Sequence, residues 1–387
     1  MSEKIQNGWK WVKLGEVAEI KMGQSPESKY YNDKGIGLPF LQGNKTFGYK
    51  YPEIDIFCSN PIKIAKKGEV LISVRAPVGD INIANQDICI GRGLASINSL
   101  FNQNEFLFYC LKYSKNDLLA SETGTVFGSI NKDTLNNFSI PLPPLPEQKA
   151  IAEVLSSIDD KIDLLHRQNK TLEEMAMTLF RQWFIEPTKD GLPEGWGEKK
   201  LKDIYFLEKG IEPGSKNYLE TPSIDSIRFI RVGDMLDNKA NVYIQKDLVG
   251  NSICKFDDLL VSFDGTVGRV SFGIQGCYSS GIRKIYSKDE IYNKLWLKHQ
   301  IFVSEDIQDE INMYAEGTTI LHASSSIDYL SFAFPLKEKI EEYDKFFDPI
   351  YKKMLHNKKS IQTLEKLRDT LLPKLMSGEV RAKMDIM

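Results

Sequence analysis

PLPPLPEQKAIAEVLSSIDDKIDLLHRQNKTLEEMAMTLFRQWF, residues Pro141 to Phe184, decides the architecture of this chain. A proline-rich lead-in stops and an uninterrupted helical pattern begins. Apolar or small residues fall at Ile151, Leu155, Ile158, Ile162, Leu165, Leu172, Ala176, Leu179 and Trp183. Those steps alternate four and three, the spacing of a helix that lays one seam against a partner helix. One polar residue, Asn169, interrupts the seam. From Ile151 to Trp183 such a helix would span roughly 50 Å at about 1.5 Å per residue. The stretch lies near mid-chain, so the surrounding sequence must supply its partner.

That partner comes from an internal repeat. Gly8, Trp9, Leu14, Gly23, Pro26 and Tyr31 recur at one constant spacing as Gly195, Trp196, Leu201, Gly210, Pro213 and Tyr218. GEVLISVRAPVGDINIA from Gly68 matches DDLLVSFDGTVGRVSFG from Asp257, and CIGRGLASINS from Cys89 matches CYSSGIRKIYS from Cys277. Ser139-Ile140-Pro141 and Ala333-Phe334-Pro335 close the unit, and KTLEEMAMTLF from Lys170 matches QTLEKLRDTLL from Gln362. The spacing drifts by a few residues over nearly the whole chain. The protein reads as a tandem duplication of a globular half followed by a long helix: residues 1–145, 146–186, 187–336 and 337–387. The repeat is far longer than the roughly 20–50 residues of a solenoid unit.

The second helix begins near Lys337. Carrying the first seam across gives Tyr343, Phe347, Ile350, Met354, Asn357, Ile361, Leu364, Arg368, Leu371 and Leu375, mostly apolar. Residues 146–186 hold five Lys and Arg against eight Asp and Glu, and residues 337–387 hold twelve against nine. Opposite charge and matching seams make the two helices candidates to pack on each other. Pseudo-twofold symmetry makes the pair antiparallel, with Asn169 against Asn357, Ile151 against Leu375 and Leu172 against Met354. A buried Asn pair would cost some stability and fix the register.

Each globular half reads as mixed α/β with strands prominent. GEVLISV and DDLLVSF have strand composition between glycine turns. The segments from Asn104 and Asn293 read as amphipathic helices. GTVFGSINKDTLNNFSIPLP reads as loop, short turn and exit strand, and Pro187 to Gly195 as the linker into the second half.

Composition bounds the rest. The 387 residues, 42% hydrophobic and 27% charged, suit a globular protein of several domains. No apolar run approaches the roughly 20 residues needed to span a bilayer. The N-terminus lacks the apolar core of a signal peptide, and five cysteines without C-x-x-C spacing read as reduced thiols. A cytoplasmic protein is expected. Catalytic patterns are missing: there is no G-x-G-x-x-G or G-x-S-x-G, and GLPFLQGNKT from Gly37 lacks phosphate-loop spacing. His166, His299, His322 and His356 are scattered. Asp159-Asp160 and Asp257-Asp258 read as solvated neighbours that point apart, unsuited to an acid/base dyad.

What remains is polar loops whose side chains suit nucleic acid. In the first half these are Gln24, Ser25, Lys29, Tyr31, Gln42, Asn44, Lys45, Arg75 and Arg92; in the second, Lys216, Arg228, Arg231, Arg269, Arg283 and Lys284. Gln and Asn bond bidentately to adenine, Arg to guanine, and Lys and Arg neutralise phosphates.

The chain resembles the specificity subunit of type I restriction–modification systems over essentially its whole length. The resemblance rests on W-x-x-x-x-L-G-E-V (Trp9 to Val17), Gly23-x-Ser25-Pro26, VLISVRAPVG (Val70 to Gly79), P-L-P-P-L-P-E-Q-x-x-I-A (Pro141 to Ala152) and the C-terminal LRDTLLPKLMSGEVR. It implies two target-recognition domains, each reading one half of a split double-stranded DNA sequence through the major groove. Two antiparallel helices would act as a ruler between them and as the dock for two methyltransferase subunits, with restriction subunits completing the enzyme. The specificity subunit would carry no catalytic residues and no cofactor; S-adenosylmethionine and ATP would belong to the partners. Arg75 and the Gly23–Ser25 turn would grip backbone or read bases. The second copy departs from this, with Asp264 at the place of Arg75, Arg269 at that of Asp80, and Leu336-Lys337-Glu338 for the proline-rich exit. Two alternatives stand beside this reading: the specificity subunit of a related system cutting on both sides of its site, and a coiled-coil scaffold binding protein. A DNA footprint separates the scaffold from the others.

Overall fold

A computed structural model describes residues 8–120, 129–236, 242–317 and 321–382. Two compact units result: residues 1–164 with 361–387, and residues 165–360. These cut across the four segments read from the repeat, because each unit takes one end of each long helix.

In the first unit Lys10–Lys13 pairs antiparallel with the exit strand Ser139–Leu142. A four-stranded antiparallel sheet runs in the order Ala18–Met22, Leu94–Ser99, Val70–Ser73, Ile81–Ile83. A five-stranded sheet follows in the order Tyr31–Asn32, Phe57–Cys58, Leu38–Leu41, Ile88–Ile90, Ile64–Ala65, with one parallel pair between Leu38–Leu41 and Ile88–Ile90. The strands of the VLIS and LASINS segments are buried almost throughout, which is why they read as continuous apolar runs.

The second unit repeats this topology. Gly197–Lys200 pairs with Ser331–Phe334, and a four-stranded sheet runs Phe206–Lys209, Ile282–Tyr286, Leu259–Ser262, Val270–Ser271. A mixed sheet runs Tyr243–Gln245, Ser226–Ile230, Gly276–Tyr278, Ile253–Cys254, again with its parallel pair at the centre. The duplication seen in sequence is thus a duplication of strand order.

The central helix covers Leu145–Phe180, 36 residues, and the C-terminal helix Lys337–Met376, 40 residues. All ten positions of each seam are buried or half-buried. Ile151 and Leu155 share the first unit's core with Leu375 and Met376. Ala176 and Phe180 share the second unit's core with Phe347, Ile350 and Met354. The central helix ends in a π-turn, Arg181–Ile185, after which Pro187 opens a short 3-10 turn. There Phe184 stacks on Phe180 at 4.6 Å and Trp183 on Tyr343 at 4.8 Å.

The proline exit has a physical reason. Glu147, in the first turn of the central helix and buried, accepts from Trp9 Nε1 at 3.1 Å and Arg381 Nη1 at 2.9 Å. Gln148 donates to the Pro143 carbonyl at 2.8 Å. Both residues after the prolines therefore hold the entry to the helix.

Three expectations are corrected. Asp159 is not solvated: it has no exposed surface and accepts from Tyr49 Oη at 2.6 Å, Tyr109 Oη at 3.0 Å and Arg368 Nη1 at 3.2 Å. Its neighbour Asp160 stays at the surface and pairs with the buried Lys50 at 2.7 Å. The segment from Asn293 is not amphipathic in its first part, because Trp296 to Phe302 of the helix Leu295–Val303 are all buried. The turn before the exit strand is a short helix, Lys132–Asn137, N-capped by Asn131, which accepts from Thr134 N.

The second unit places a neutral cluster against its helices. His299 Nδ1 meets Tyr351 Oη at 2.7 Å, and Gln300 Nε2 donates to the same oxygen at 2.9 Å. Burial, with Lys358 adding to it, pushes the His299 imidazole down to about 3. An unfolded chain would titrate this ring near ~6.5. The folded value is depressed, so its stabilisation is complete above that range and is lost as pH falls towards the folded value. Unfolding free energy of the native protein is expected to fall by up to ~1.4 kcal/mol per pH unit below about pH 6 from this group. Denaturant titrations at stepped pH should show that component missing in His299→Gln.

Candidate nucleic-acid interface

In the first domain three separate segments are tied by their backbones. Gly23 N donates to Leu94 O at 2.9 Å, Gln24 N to Ile90 O at 3.0 Å, Gly91 N to Leu41 O at 2.8 Å and Gly93 N to Gln42 O at 3.1 Å. Close approach, not an unusual φ, requires glycine here. A Cβ on Gly23 would lie 2.2 Å from the Gly91 carbonyl oxygen, and one on Gly93 would lie 2.6 Å from that of Gln42.

This knot carries the side chains. Ser25 Oγ donates to Gln42 Oε1 at 2.9 Å and accepts from Arg92 N at 3.2 Å. The carbonyl end of the Gln42 amide is thereby engaged, leaving its NH2 end to meet a ligand. Asn44 Nδ2 donates to Asp80 Oδ2 at 2.6 Å, and Lys115 pairs with the other Asp80 oxygen at 2.7 Å. Val74 N donates to Gly93 O at 2.9 Å, which brings exposed Arg75 beside the knot. The structure thus gathers Gln24, Ser25, Gln42, Asn44, Arg75 and Arg92, with exposed Lys45 on the same segment as Gln42. Tyr31 stands apart: its hydroxyl donates to Pro26 O at 2.8 Å and its ring stacks on Phe40 at 4.5 Å, so it supports the turn. Lys29 is exposed and pairs with Glu27 at 2.7 Å.

The second domain builds the same knot. Gly210 N donates to Ile282 O at 3.1 Å and Ser279 N to Ile230 O at 2.9 Å, and a Cβ on Gly210 would lie 2.2 Å from Ser279 O. Matching backbone bonds place Arg231 where the first domain has Gln42, Ser280 where it has Arg92, and Gly281 where it has Gly93. Arg231 closes on Asp234, with Nε at 3.0 Å. Arg269 Nη1 donates to Val232 O at 2.9 Å. Lys216 is exposed in the turn Ser215–Asn217, and Arg228 is half-buried on its strand.

Arg283 and Lys284 both bond within the domain. Arg283 is buried, donates to Ser280 O at 2.7 Å and Ser324 Oγ at 2.9 Å, and holds the loop from within. Burial draws its guanidinium below the usual range, with Asp264 acting against that shift. Lys284 is folded onto Glu208 at 2.7 Å and the Ile253 carbonyl at 3.1 Å. Both charges are thus engaged by groups of their own domain.

On the helix pair, buried Asn357 donates through Nδ2 to Asn169 Oδ1 at 3.0 Å. Reasoning from sequence missed two things. Asp159 and Arg368 form a buried pair on the other stretch of the seam, and Asp264 holds His322 Nδ1 at 2.8 Å. Arg368, the one charged residue on the seam of the C-terminal helix, was the legible signal for the first.

Among the described residues no group of His, Cys, Asp or Glu could hold a metal ion. All five cysteines are free and buried. Among the described residues no helix is long and apolar enough to cross a membrane.

The glycine knot yields a test. Gly23→Ala is expected to cost about 1–3 kcal/mol, because three backbone carbonyls crowd the added methyl. Gly43→Ala, two residues from Leu41 with nothing within 4 Å of its Cβ, should leave the denaturation midpoint nearly unchanged. Equal shifts in the two would remove the knot's claim to be tightly packed.

Comparison with known proteins gives a consistent result. The family of type I restriction modification DNA specificity domains matches residues 6–174. A putative type I restriction enzyme MjaX specificity subunit of Methanocaldococcus jannaschii is 46% identical over 175 residues, covering 44% of this chain and 41% of that one. The type I restriction enzyme MjaIX specificity subunit of the same organism is 26% identical, covering 98% of this chain and 95% of its own length. The corresponding HindI subunit of Haemophilus influenzae is 24% identical, covering 96% and 99%. A crystal structure of a type I restriction-modification S subunit from M. genitalium shares the fold, with a TM-score of 0.60, 17% identity and coverage of 96% of this chain and 98% of the other. The family match thus covers the first domain and most of the central helix, and proteins named as type I specificity subunits are similar along nearly the whole chain.

Proposed function

We propose that this chain is the DNA sequence-specificity subunit of a type I restriction–modification enzyme, reading a bipartite double-stranded DNA sequence with an unspecific spacer. One observation carries this reading. Two domains of one topology present unlike side chains from the same knot: Gln42, Arg92 and Arg75 in the first, Arg231, Ser280 and Asp264 in the second. A scaffold binding one protein twice would need like surfaces; two different half-sites need unlike ones. Two methyltransferase subunits dock on the helix pair and restriction subunits join them. The chain itself performs no catalysis, and S-adenosylmethionine and ATP are bound by the partners.

Charge sets the division of labour. The chain carries a formal net charge of −3. Affinity for DNA rises with the number of phosphates neutralised, so the isolated chain binds weakly and the methyltransferase completes the clamp. The test is a footprint on the cognate site at physiological salt. With methyltransferase, two separated tracts should be protected, and without it, none. Absence of protection in the full complex, or tight binding by the chain alone, would overturn this account.

A further inference from the structure

The antiparallel bridge beside each knot differs between the domains in a way that assigns a role to His322. Ile130 N donates to Val74 O at 3.0 Å in the first domain, and Ala323 N to Phe263 O at 2.8 Å in the second. These bonds make Arg75 equivalent to Asp264 and Ser129 equivalent to His322. Both pairs face each other across an antiparallel bridge. The first domain therefore carries its basic side chain on the strand continuing Val70–Ser73, facing Ser129. In the second domain that position is acidic, and the nitrogen-bearing ring comes from the opposite strand.

Geometry fixes the ring. His322 Nδ1 lies 2.8 Å from Asp264 Oδ1, with the His322 side chain 63% exposed and that of Asp264 20% exposed. A carboxylate only accepts, so Nδ1 carries the proton and Nε2 is the atom left to meet a ligand. The His322 backbone is also held on its other side, where Glu316 and His322 exchange backbone bonds at 3.0 and 2.8 Å. Asp264 N donates to Gly281 O at 3.2 Å, which joins the pair to the knot carrying Arg231.

We infer that His322, oriented by Asp264, reads a base edge in the DNA half-site of the second domain. An anionic carboxylate beside the contact opposes a phosphate and leaves a base edge as the ligand. This rests on the DNA-reading function proposed above and assigns one residue within it. Asp264 is a positioning residue and His322 the contact.

The experiment methylates a random DNA library with the full chain and its methyltransferase, then aligns the modified sites. In His322→Ala, discrimination at one position of one half-site should fall about tenfold, with the other half-site unchanged. His322→Gln should alter preference at that same position. Asp264→Ala should relax it too, and Asp264→Asn, which keeps an acceptor, should restore much of it. Unchanged preference at every position, or weaker methylation with base preference intact, would overturn the assignment. Failure of the native complex to select any sequence would instead overturn the DNA-reading function.

Discussion

Asp159→Ala is expected to destabilise the first unit by about 3–5 kcal/mol, because it removes the buried carboxylate that the half-buried Arg368 and Tyr49 and the buried Tyr109 all bond to. Asp159 has no exposed surface, and the Arg368 side chain is 14% exposed. Tyr49 reaches it from the first domain, Tyr109 from the helix Asn104–Tyr113, and Arg368 from the C-terminal helix. Burial, reinforced by this carboxylate, pushes both phenols well above their usual range, so they donate and do not ionise. Asp369 lies 2.7 Å from Arg368 but at the surface, where it replaces little of the loss. Chemical denaturation followed by near-ultraviolet dichroism reads the effect. Asp159→Leu with Arg368→Met should lose less than half as much as Asp159→Ala alone, since removing both charges leaves no orphan. If the single variant fell within about 1 kcal/mol of native, the network would be incidental.

Lengthening both long helices by one heptad is expected to abolish methylation of the native site and transfer it to a site with a longer spacer. Seven residues add about 10.5 Å at 1.5 Å each. That is about three base pairs at 3.4 Å each. A heptad returns the seam to nearly the same face, so insertions after Leu164 and after Ser360 keep the apolar positions in phase. Insertion into one helix alone should disrupt the pairing of Asn169 with Asn357 or of Asp159 with Arg368 and yield poorly folded protein. A doubly lengthened chain that still methylated the native spacing would end the proposed ruler role.

Much of this was legible in the sequence, for identifiable reasons. The seam from Ile151 to Trp183 shows because a helix that buries one stripe repeats it every three or four residues. Glycines at 23 and 210 mark the knots because no side chain fits between their carbonyls. Asp159 was misread because adjacency to Asp160 says nothing of what approaches from Tyr49 and Tyr109, distant in sequence. The intradomain partners of Arg283 and Lys284 were not legible, because a basic residue on a strand looks the same in sequence whatever it bonds to. The Asp264–His322 pair was half visible: the repeat set Asp264 in the place of Arg75, but only the antiparallel bridge brings His322 opposite. Local pattern yields periodic elements, whereas polar partners brought together by the fold need coordinates.

The central claim, two like domains reading two unlike half-sites, is tested most directly by sequencing the sites that the native chain and its methyltransferase modify in a random library. The account predicts two different specific tracts separated by an unspecific spacer of one fixed length. A single tract, two identical tracts, or a spacer that varies from site to site would contradict it.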